Sequence, residues 1–265
     1  MTVIALTIAG SDSGGGAGIQ ADLKTFSALG IYAATVLTAL TAQNTQGVQA
    51  IHDVPADFVT AQMDSVFSDL AVAAVKIGML SRPAVIEAVA QGLVQHGARS
   101  IVLDPVMVAT SGDRLISPDA VAALRVRLLP MADLITPNLA EAAELLGDAV
   151  ATDDEAIVGQ GRRLLGMGAR AVLVKGGHGA GPESVDWLVT PDGTRRLSAP
   201  RIPTVHTHGT GCTLSAAIAA GLARGAGLPE AVEAAKTYLS GALAAADGLA
   251  IGRGSGPVHH FHGWW

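Results

Sequence analysis

The segment at residues 208–213, with the sequence HGTGCT, combines a reactive side chain with a backbone suited to an anion. Its two glycines let the chain turn tightly, and the apolar run at 212–224 predicts a helix that begins at Cys212. A helix start offers unpaired N–H groups and a positive dipole end, which predicts a cradle for a phosphoryl group. The Cys212 thiol is expected to have a lowered pKa there and to face the same spot. The alternative is a glycine-rich turn beside a buried, inert cysteine.

A second glycine-rich segment, residues 10–22 (GSDSGGGAGIQAD), follows the first apolar run. It does not fit the dinucleotide-binding fingerprint, and the phosphate loop GxxxxGK[ST] does not occur in the chain. We interpret it as a loop shaped for a small substrate, in which Asp22 accepts a hydrogen bond from a substrate hydroxyl. The alternative is a flexible turn followed by a helix start.

Gln43 comes just past the second predicted strand. Its side-chain amide has a hydrogen-bond donor next to an acceptor. This pair is complementary to the amidine edge of an aminopyrimidine, in the same way that a glutamine side chain forms two hydrogen bonds with adenine. The alternative is an ordinary polar loop residue.

Asp104, Asn138 and Glu141 bring oxygen ligands to the ends of two further predicted strands. Such ligands suit Mg²⁺, which keeps several waters and bridges to phosphates through one or two carboxylates. Asn138 and Glu141 also have the spacing of a helix N-cap with its capping-box glutamate, and both interpretations can hold together.

Lys175 ends another predicted strand and is followed by Gly176, Gly177 and His178. A point positive charge beside unhindered backbone suits a phosphate partner, whereas the alternative is a solvated loop lysine. The histidines and the cysteine do not have the spacing of a zinc site.

The elements that must position these residues alternate between strands and helices. Apolar runs rich in Val and Ile predict strands at 3–9, 34–40, 72–77, 100–104, 133–136 and 171–175. Helical periodicity predicts helices at 18–29, 56–68, 83–96, 118–128, 139–146, 153–167, 212–224 and 230–247. Segments 186–190 and 194–198 predict an antiparallel hairpin at the sheet edge. We therefore expect a single α/β domain over residues 1–265, with a mostly parallel sheet, helices on both faces and the ligand crevice outside the strand carboxyl ends.

The composition narrows the classes of function. With 23 acidic and 17 basic residues the formal charge is −6, and no basic block occurs, so nucleic acid is not an expected partner. The apolar stretches are too short or too interrupted to span a bilayer, so no membrane partner is expected. One cysteine and an N-terminus without signal-peptide features predict a reducing, cytoplasmic location.

Six ordered motifs extend over nearly the whole chain, at residues 10–22, 42–45, 76–80, 136–141, 174–178 and 207–213. Together they closely resemble the hydroxymethylpyrimidine/phosphomethylpyrimidine kinases of thiamine biosynthesis, in the ribokinase superfamily. The resemblance implies a ribokinase-like three-layer fold and a homodimer. It also implies ATP- and Mg²⁺-dependent phosphorylation of 4-amino-5-hydroxymethyl-2-methylpyrimidine, and then of its monophosphate to the diphosphate.

The resemblance further implies a role for each matching residue. Asp22 and Gln43 would hold the pyrimidine, with Gly10, Met79 and Val106 as walls. ATP would be bound by Lys175, Gly176, Thr210 and Gly211. Mg²⁺ would be organised by Asp104, Asn138 and Glu141, partly through water. The catalytic group would be Cys212 with the anion hole of Gly209, Thr210 and Gly211.

Cys212 departs from the wider superfamily, whose sugar and nucleoside kinases usually carry a basic Asp at this position, whereas vitamin kinases often carry Cys. Because phosphoryl transfer is largely dissociative, the acceptor hydroxyl needs positioning more than early deprotonation, and a thiolate at the helix start would suffice. The nearest alternative activity is a pyridoxal or pyridoxine kinase, as sole or side activity. A remoter alternative is a non-catalytic sensor of the pyrimidine or of a nucleotide.

Overall fold

The computed structural model describes residues 2–108, 115–177 and 181–265, so His178 of the motif at 174–178 lies outside the described residues. Nine strands of the described residues form one sheet in the order β3-β2-β1-β4-β5-β6-β7-β8-β9. They are β1 (Ile4–Ser11), β2 (Tyr32–Asn44), β3 (Gly47–Asp53), β4 (Val72–Ile77), β5 (Ile101–Leu103), β6 (Leu134–Ile135), β7 (Val172–Lys175), β8 (Glu183–Thr190) and β9 (Gly193–Pro200). Strands β2, β1, β4, β5, β6 and β7 pair in parallel, and the strands at both edges pair antiparallel.

Helices cover both faces of this sheet. They are α1 (Gly18–Ala28), α2 (Ala56–Asp69), α3 (Pro83–Gln95), α4 (Pro118–Arg127), α5 (Leu139–Leu146), α6 (Asp154–Gly166), α7 (Thr210–Ala223) and α8 (Leu228–Ala244). One apolar cluster packs the helices α2, α3, α4, α5 and α6 against one face of the sheet. A second cluster packs α1, α7 and α8 against the other face. On β1, Leu6 and Ile8 enter the first cluster and Ala5 the second, because alternate residues of a strand face opposite sides. The predicted α/β fold with helices on both faces is confirmed.

The two antiparallel edges differ in how well the sequence predicts them. The hairpin of β8 and β9 is confirmed at one edge, where Val189 pairs with Thr194. At the other edge, β2 continues to Asn44 and pairs with β3, a strand that was not predicted. Most of β3 is exposed, so its residues do not have the apolar pattern on which the prediction relied.

Helix α7 begins at Thr210, two residues before the predicted start. The first residues, Thr210 and Gly211, are weak helix formers, so the apolar pattern begins only at Cys212. Cys212 nevertheless lies in the first turn, where the predicted anion-binding groups are.

The carboxyl ends of the parallel strands lie along one edge of the sheet, where an open α/β sheet binds its ligands. Ser11, Ile77, Leu103, Ile135 and Lys175 end the strands β1, β4, β5, β6 and β7. Among the helices of the described residues, none is long and apolar enough to cross a bilayer.

Candidate active site

The backbone at the start of α7 has the form that an anion hole needs. Gly209 caps the helix with φ at +83°, in the left-handed region where a side chain is strained. A Cβ on Gly209 would also collide with the carbonyl oxygen of Gly16. The first N–H groups of a helix have no earlier intrahelical carbonyl to bond, so those of Gly211 and Cys212 can donate to an anion, whereas the N–H of Thr210 already donates to the carbonyl of Thr207 at 3.3 Å.

Asp12 ties the glycine-rich loop after β1 to the segment before α7. Its carboxylate accepts hydrogen bonds from the N–H groups of Gly14 (2.8 Å), Gly16 (3.0 Å) and Ala17 (2.8 Å). The same carboxylate lies 2.8 Å from Nε2 of His208. Burial would raise the pKa of Asp12, but the bonds to His208 and to the backbone hold it below its usual value. The loop and the helix start are therefore held together by one buried anion.

Lys175, at the end of β7, directs its charge toward the start of α7. Its Nζ donates to Oδ1 of Asp104 at 2.8 Å, and a Cβ placed on Gly211 would lie 3.3 Å from that Nζ. Asp104 also accepts hydrogen bonds from the hydroxyls of Thr136 (2.9 Å) and Ser215 (3.2 Å). Burial opposes the charge on both groups, but their attraction lowers the pKa of Asp104 and raises that of Lys175. Lys175 is therefore not the solvated loop lysine of the alternative.

Gly176 is fixed by a second buried ion pair. Its N–H donates to Oδ1 of Asp186 at 3.0 Å, and Oδ2 of Asp186 accepts from Nζ of Lys236 at 2.6 Å. A Cβ on Gly176 would collide with the carbonyl oxygen of Val185. The backbone directly after Lys175 therefore has a defined path that requires glycine.

Asn138 and Glu141 form the capping box of α5. Oδ1 of Asn138 accepts from the N–H of Glu141 at 2.9 Å, and Oε2 of Glu141 accepts from the N–H of Asn138 at 2.8 Å. Burial raises the pKa of Glu141 to about 7, where Lys175 opposes the shift and Asp104 adds to it. The predicted capping box of Asn138 and Glu141 is therefore formed.

In the described part of the chain, no group of three or more His, Cys, Asp or Glu side chains could hold a metal by itself.

Asp22, on α1, is completely buried. Its Oδ2 accepts hydrogen bonds from Oγ1 of Thr7 at 2.6 Å and from Nζ of Lys76 at 2.9 Å. Its Oδ1 is also buried and has no hydrogen-bond partner among the described residues. Because an unsatisfied buried acceptor is costly, this oxygen has the capacity to accept a donor from a ligand.

Two of the three predicted walls of the pyrimidine site are in direct contact. Gly10 and Met79 are in contact, since a Cβ on Gly10 would lie 2.7 Å from Cε of Met79. The carbonyl of Met79 accepts from Oγ1 of Thr38 at 3.0 Å, which fixes this segment to β2. Val106 follows β5 and is half-buried, and its N–H donates to the carbonyl of Asp104 at 2.8 Å.

Gln43 lies within β2, so its predicted place past the end of a strand is wrong. Its Oε1 accepts from Oγ1 of Thr41 at 3.1 Å, and its N–H donates to Oγ of Ser13 at 2.9 Å. The side chain borders a cavity of about 260 Å³. The other described residues around that cavity are Asn44, Thr45, Gln46, Gly47, His208, Gly254 and Ser255. Gln43 is thus linked to the glycine-rich loop, while Asp22 lies outside this cavity lining.

Cys212 is half-buried in the first turn of α7. Burial raises the pKa of its thiol to about 11, Lys76 opposes the shift, and the carboxylates of Asp22 and Asp104 add to it. The lowered pKa expected from the helix start is therefore wrong. The helix end carries only a partial charge, and desolvation with two nearby carboxylates outweighs it.

The match to known proteins decides the family of the chain. The family profile described as phosphomethylpyrimidine kinase matches residues 12–259. The chain belongs to this family. A hydroxymethylpyrimidine/phosphomethylpyrimidine kinase from Rhizobium meliloti (strain 1021) is 64% identical over 265 residues, which is 100% of this chain and 99% of that relative.

Two solved structures share the fold of this phosphomethylpyrimidine kinase family member. Phosphomethylpyrimidine kinase from Clostridium difficile 630 has a TM-score of 0.81 at 43% identity, covering 90% of this chain and 98% of that one. Pyridoxal kinase from Bacillus subtilis, in an ADP complex, has a TM-score of 0.91 at 36% identity, covering 98% of each chain. The expected ribokinase-like fold is confirmed.

Three residues order the site of this family member in roles that were not predicted: Asp12 and Lys76 were not singled out from the sequence, and His208 was considered only as a metal ligand. Each stands at or within a motif that carried the resemblance. Lys76 had a usable signal, because a charge inside the apolar strand Val72–Ile77 must find a partner when buried. Asp12 had one as well, because an acidic residue before a run of glycines can accept their N–H groups.

Proposed function

We propose that this chain transfers the γ-phosphoryl group of ATP to the hydroxymethyl oxygen of 4-amino-5-hydroxymethyl-2-methylpyrimidine, and then to the monophosphate so formed. The observation that carries the proposal is the approach of Lys175 to the first turn of α7, which also bears Cys212. The kinase family and the name of the relative that is 64% identical support this substrate.

The donor side of the proposed site lies between Lys175 and the start of α7. The ammonium supplies a point charge to the ATP phosphates, and the N–H group of Gly211 donates to the transferring group. Thr210 lies beside it at the helix start, where its N–H donates to the carbonyl of Thr207 at 3.3 Å. Gly176 keeps the backbone after Lys175 close to β8, because a Cβ there would collide with the carbonyl oxygen of Val185. The Bacillus subtilis neighbour, described as an ADP complex, supports ATP as the donor.

Mg²⁺ fits the acidic groups beside Lys175. Asp104 and Glu141 are buried carboxylates, and the pKa of about 7 at Glu141 indicates that a further positive charge there would be favourable. We assign Asp104, Asn138 and Glu141 to hold Mg²⁺, partly through water because the capping box already uses the oxygen of Asn138. When bound, Mg²⁺ would neutralise charge on the phosphates.

The acceptor side combines Cys212 with Asp22 and Gln43. The acceptor hydroxyl oxygen forms a bond to the γ-phosphorus while the bond from that phosphorus to the bridging oxygen of ADP breaks. Because the transition state is largely dissociative, the hydroxyl proton leaves late. The raised pKa keeps Cys212 a thiol that positions the hydroxyl, and the hydroxyl proton passes to an oxygen of the transferred phosphoryl group.

Replacing Gln43 with alanine is expected to raise the KM for the pyrimidine alcohol by about tenfold, because a bidentate amide contact to a base edge is worth about 1–3 kcal/mol. The KM for ATP is expected to stay within about twofold, since Gln43 lies on the β2 edge and not beside Lys175. Steady-state kinetics with each substrate varied in turn gives both constants.

The matched control for this variant is Gln49→Ala, which removes an exposed amide from the neighbouring strand β3. It is expected to leave both constants unchanged. Equal increases in the two KM values for Gln43→Ala would count against direct recognition of the pyrimidine.

The experiment that tests the function compares kcat/KM for two alcohols, the pyrimidine and pyridoxal. The second candidate, a pyridoxal kinase, is favoured by the neighbour from Bacillus subtilis with its TM-score of 0.91. We expect the pyrimidine to be the better substrate, and a clear preference for pyridoxal would overturn the proposal. Intact pyrimidine binding without ATP turnover would identify a sensor.

The same proposal places the enzyme in the cytoplasm as a homodimer. A single cysteine fits a reducing compartment. Exposed apolar side chains lie on the outer hairpin, with Leu40 44% and Ile51 41% exposed, and β3 presents an edge that a second copy can cover.

A further inference from the structure

Lys76 is a fully buried lysine inside the apolar strand β4. Its Nζ donates to Oδ2 of Asp22 at 2.9 Å, and both side chains are 0% exposed. Oγ1 of Thr7 donates to the same oxygen at 2.6 Å. A buried ammonium is costly unless it is paired, so this arrangement ties the lysine to one oxygen of one carboxylate.

The neighbouring backbone is shaped to hold that ammonium. A Cβ on Gly78 would lie 2.9 Å from Nζ of Lys76 and 3.0 Å from Cβ of Ala9. Glycine two residues beyond the lysine therefore leaves the room into which the side chain folds. The ammonium is directed toward Asp22 by packing as well as by charge.

The second oxygen of Asp22 has the opposite environment. Oδ1 is buried and lacks a hydrogen-bond partner in residues 2–108, 115–177 and 181–265. With Oδ2 occupied twice, Oδ1 is the position at which a further donor can bind, provided that the carboxyl group stays ionised. A protonated Asp22 would be able to present an O–H there in place of an acceptor.

We propose that Lys76 is a positioning residue that holds Oδ2 of Asp22 so that Oδ1 accepts a hydrogen bond from the amino or hydroxyl group of the pyrimidine substrate. The proposal rests on the proposed function, since it names the substrate that supplies the donor. Lys76 does not touch the substrate and acts on its binding through Asp22.

The charges around Asp22 support this role. Burial raises the pKa of Asp22, Lys76 opposes the shift, and Asp104 adds to it. The ionisable groups that face Asp22 are Lys76 on β4, Asp104 after β5 and Cys212 on α7. Lys76 is the cation of this set, so its loss would raise the pKa of Asp22 further and favour the neutral acid.

The test measures calorimetric binding of 4-amino-5-hydroxymethyl-2-methylpyrimidine alone between pH 5.5 and 9, in four proteins: wild type, Lys76→Met, Asp22→Asn and the double variant. In Lys76→Met the affinity is expected to fall about tenfold per pH unit on the acid side, beginning at a higher pH than in wild type. In Asp22→Asn this dependence is expected to disappear, with weak binding throughout. A wild-type affinity and pH profile in Lys76→Met would overturn the proposal.

The double variant keeps the test decisive if Lys76→Met fails to fold, because it removes both buried charges together. It is expected to bind within about threefold of Asp22→Asn, since Lys76 acts on substrate binding through Asp22. A larger additional loss in the double variant would also overturn the proposal.

Assays of the wild-type protein distinguish a failure of the proposed function from a failure of the proposed role of Lys76. Binding of the pyrimidine without phosphorylation in the presence of ATP would contradict the proposed function and leave the test of Lys76 intact. Absence of wild-type binding would overturn both. Thermal denaturation of each variant confirms that affinity is compared between folded proteins.

Discussion

Replacing Cys212 with alanine is expected to lower kcat by about 10²-fold, the lower end of the contribution that positioned acid–base groups make. The KM for ATP is expected to change by less than about twofold, because the anion hole is made of backbone N–H groups that alanine retains. Steady-state kinetics with the pyrimidine alcohol saturating gives both values. Unaltered turnover would contradict a role of Cys212 in the transfer.

The rate at which Cys212 is alkylated is expected to depend on pH. Burial raises the thiol pKa to about 11, so the reactive thiolate is scarce at neutral pH and increases as the pH rises. Alkylation by iodoacetamide is expected to be slow at pH 7 and to accelerate about tenfold per pH unit below that pKa. Cys212 is the only cysteine of the chain, so mass spectrometry of the peptide that contains it follows this thiol separately from any alkylated amine. Rapid alkylation that levels off near pH 7 would show that the thiol is activated after all.

Replacing Lys175 with methionine is expected to lower kcat by about 10²–10³-fold and to raise the KM for ATP, because the variant loses a preorganised charge aimed at the transferring group. It also leaves Asp104, 1% exposed in its side chain, without its cation partner. Removing one member of a buried ion pair costs about 3–5 kcal/mol, so lower thermal stability is expected as well. Kinetics and thermal denaturation measure the two effects separately.

The double variant Lys175→Met with Asp104→Asn separates stability from catalysis. It removes both charges of the pair, so much of the lost stability is expected to return. Activity is expected to stay low, because the phosphate-binding charge is still absent and Asp104, a proposed ligand of Mg²⁺, is lost as well. Recovery of both stability and turnover in the double variant would assign Lys175 a purely structural role.

The interior of the fold could be predicted because burial leaves a clear pattern in the sequence. The predicted strand 72–77 is β4 itself, and the predicted helix 139–146 is α5 itself. Strand β3 could not be predicted, because this exposed edge is held by backbone pairing with β2 and its side chains alternate weakly. The start of α7 was missed for a related reason, since Thr210 and Gly211 are helical without being apolar.

Candidate site residues could be predicted where a charged residue lies at the end of an apolar strand, as Lys175 and Asp104 do. The contacts that join distant segments could not be predicted. Asp12 meets His208 across 196 positions of the chain, and Lys76 meets Asp22 across 54. The predicted lowering of the Cys212 pKa was wrong, because the sequence shows the helix start but not the burial and the nearby carboxylates. Those two effects depend on the whole fold.

The most direct test of the proposed function supplies the purified protein with the pyrimidine monophosphate, ATP and Mg²⁺, and follows the products by mass spectrometry. A kinase for both steps is expected to convert the monophosphate to the diphosphate with formation of one ADP per turnover. No diphosphate and no ADP from the monophosphate, while the alcohol is still phosphorylated in a parallel assay, would contradict the proposed function and would leave a kinase for vitamin alcohols alone.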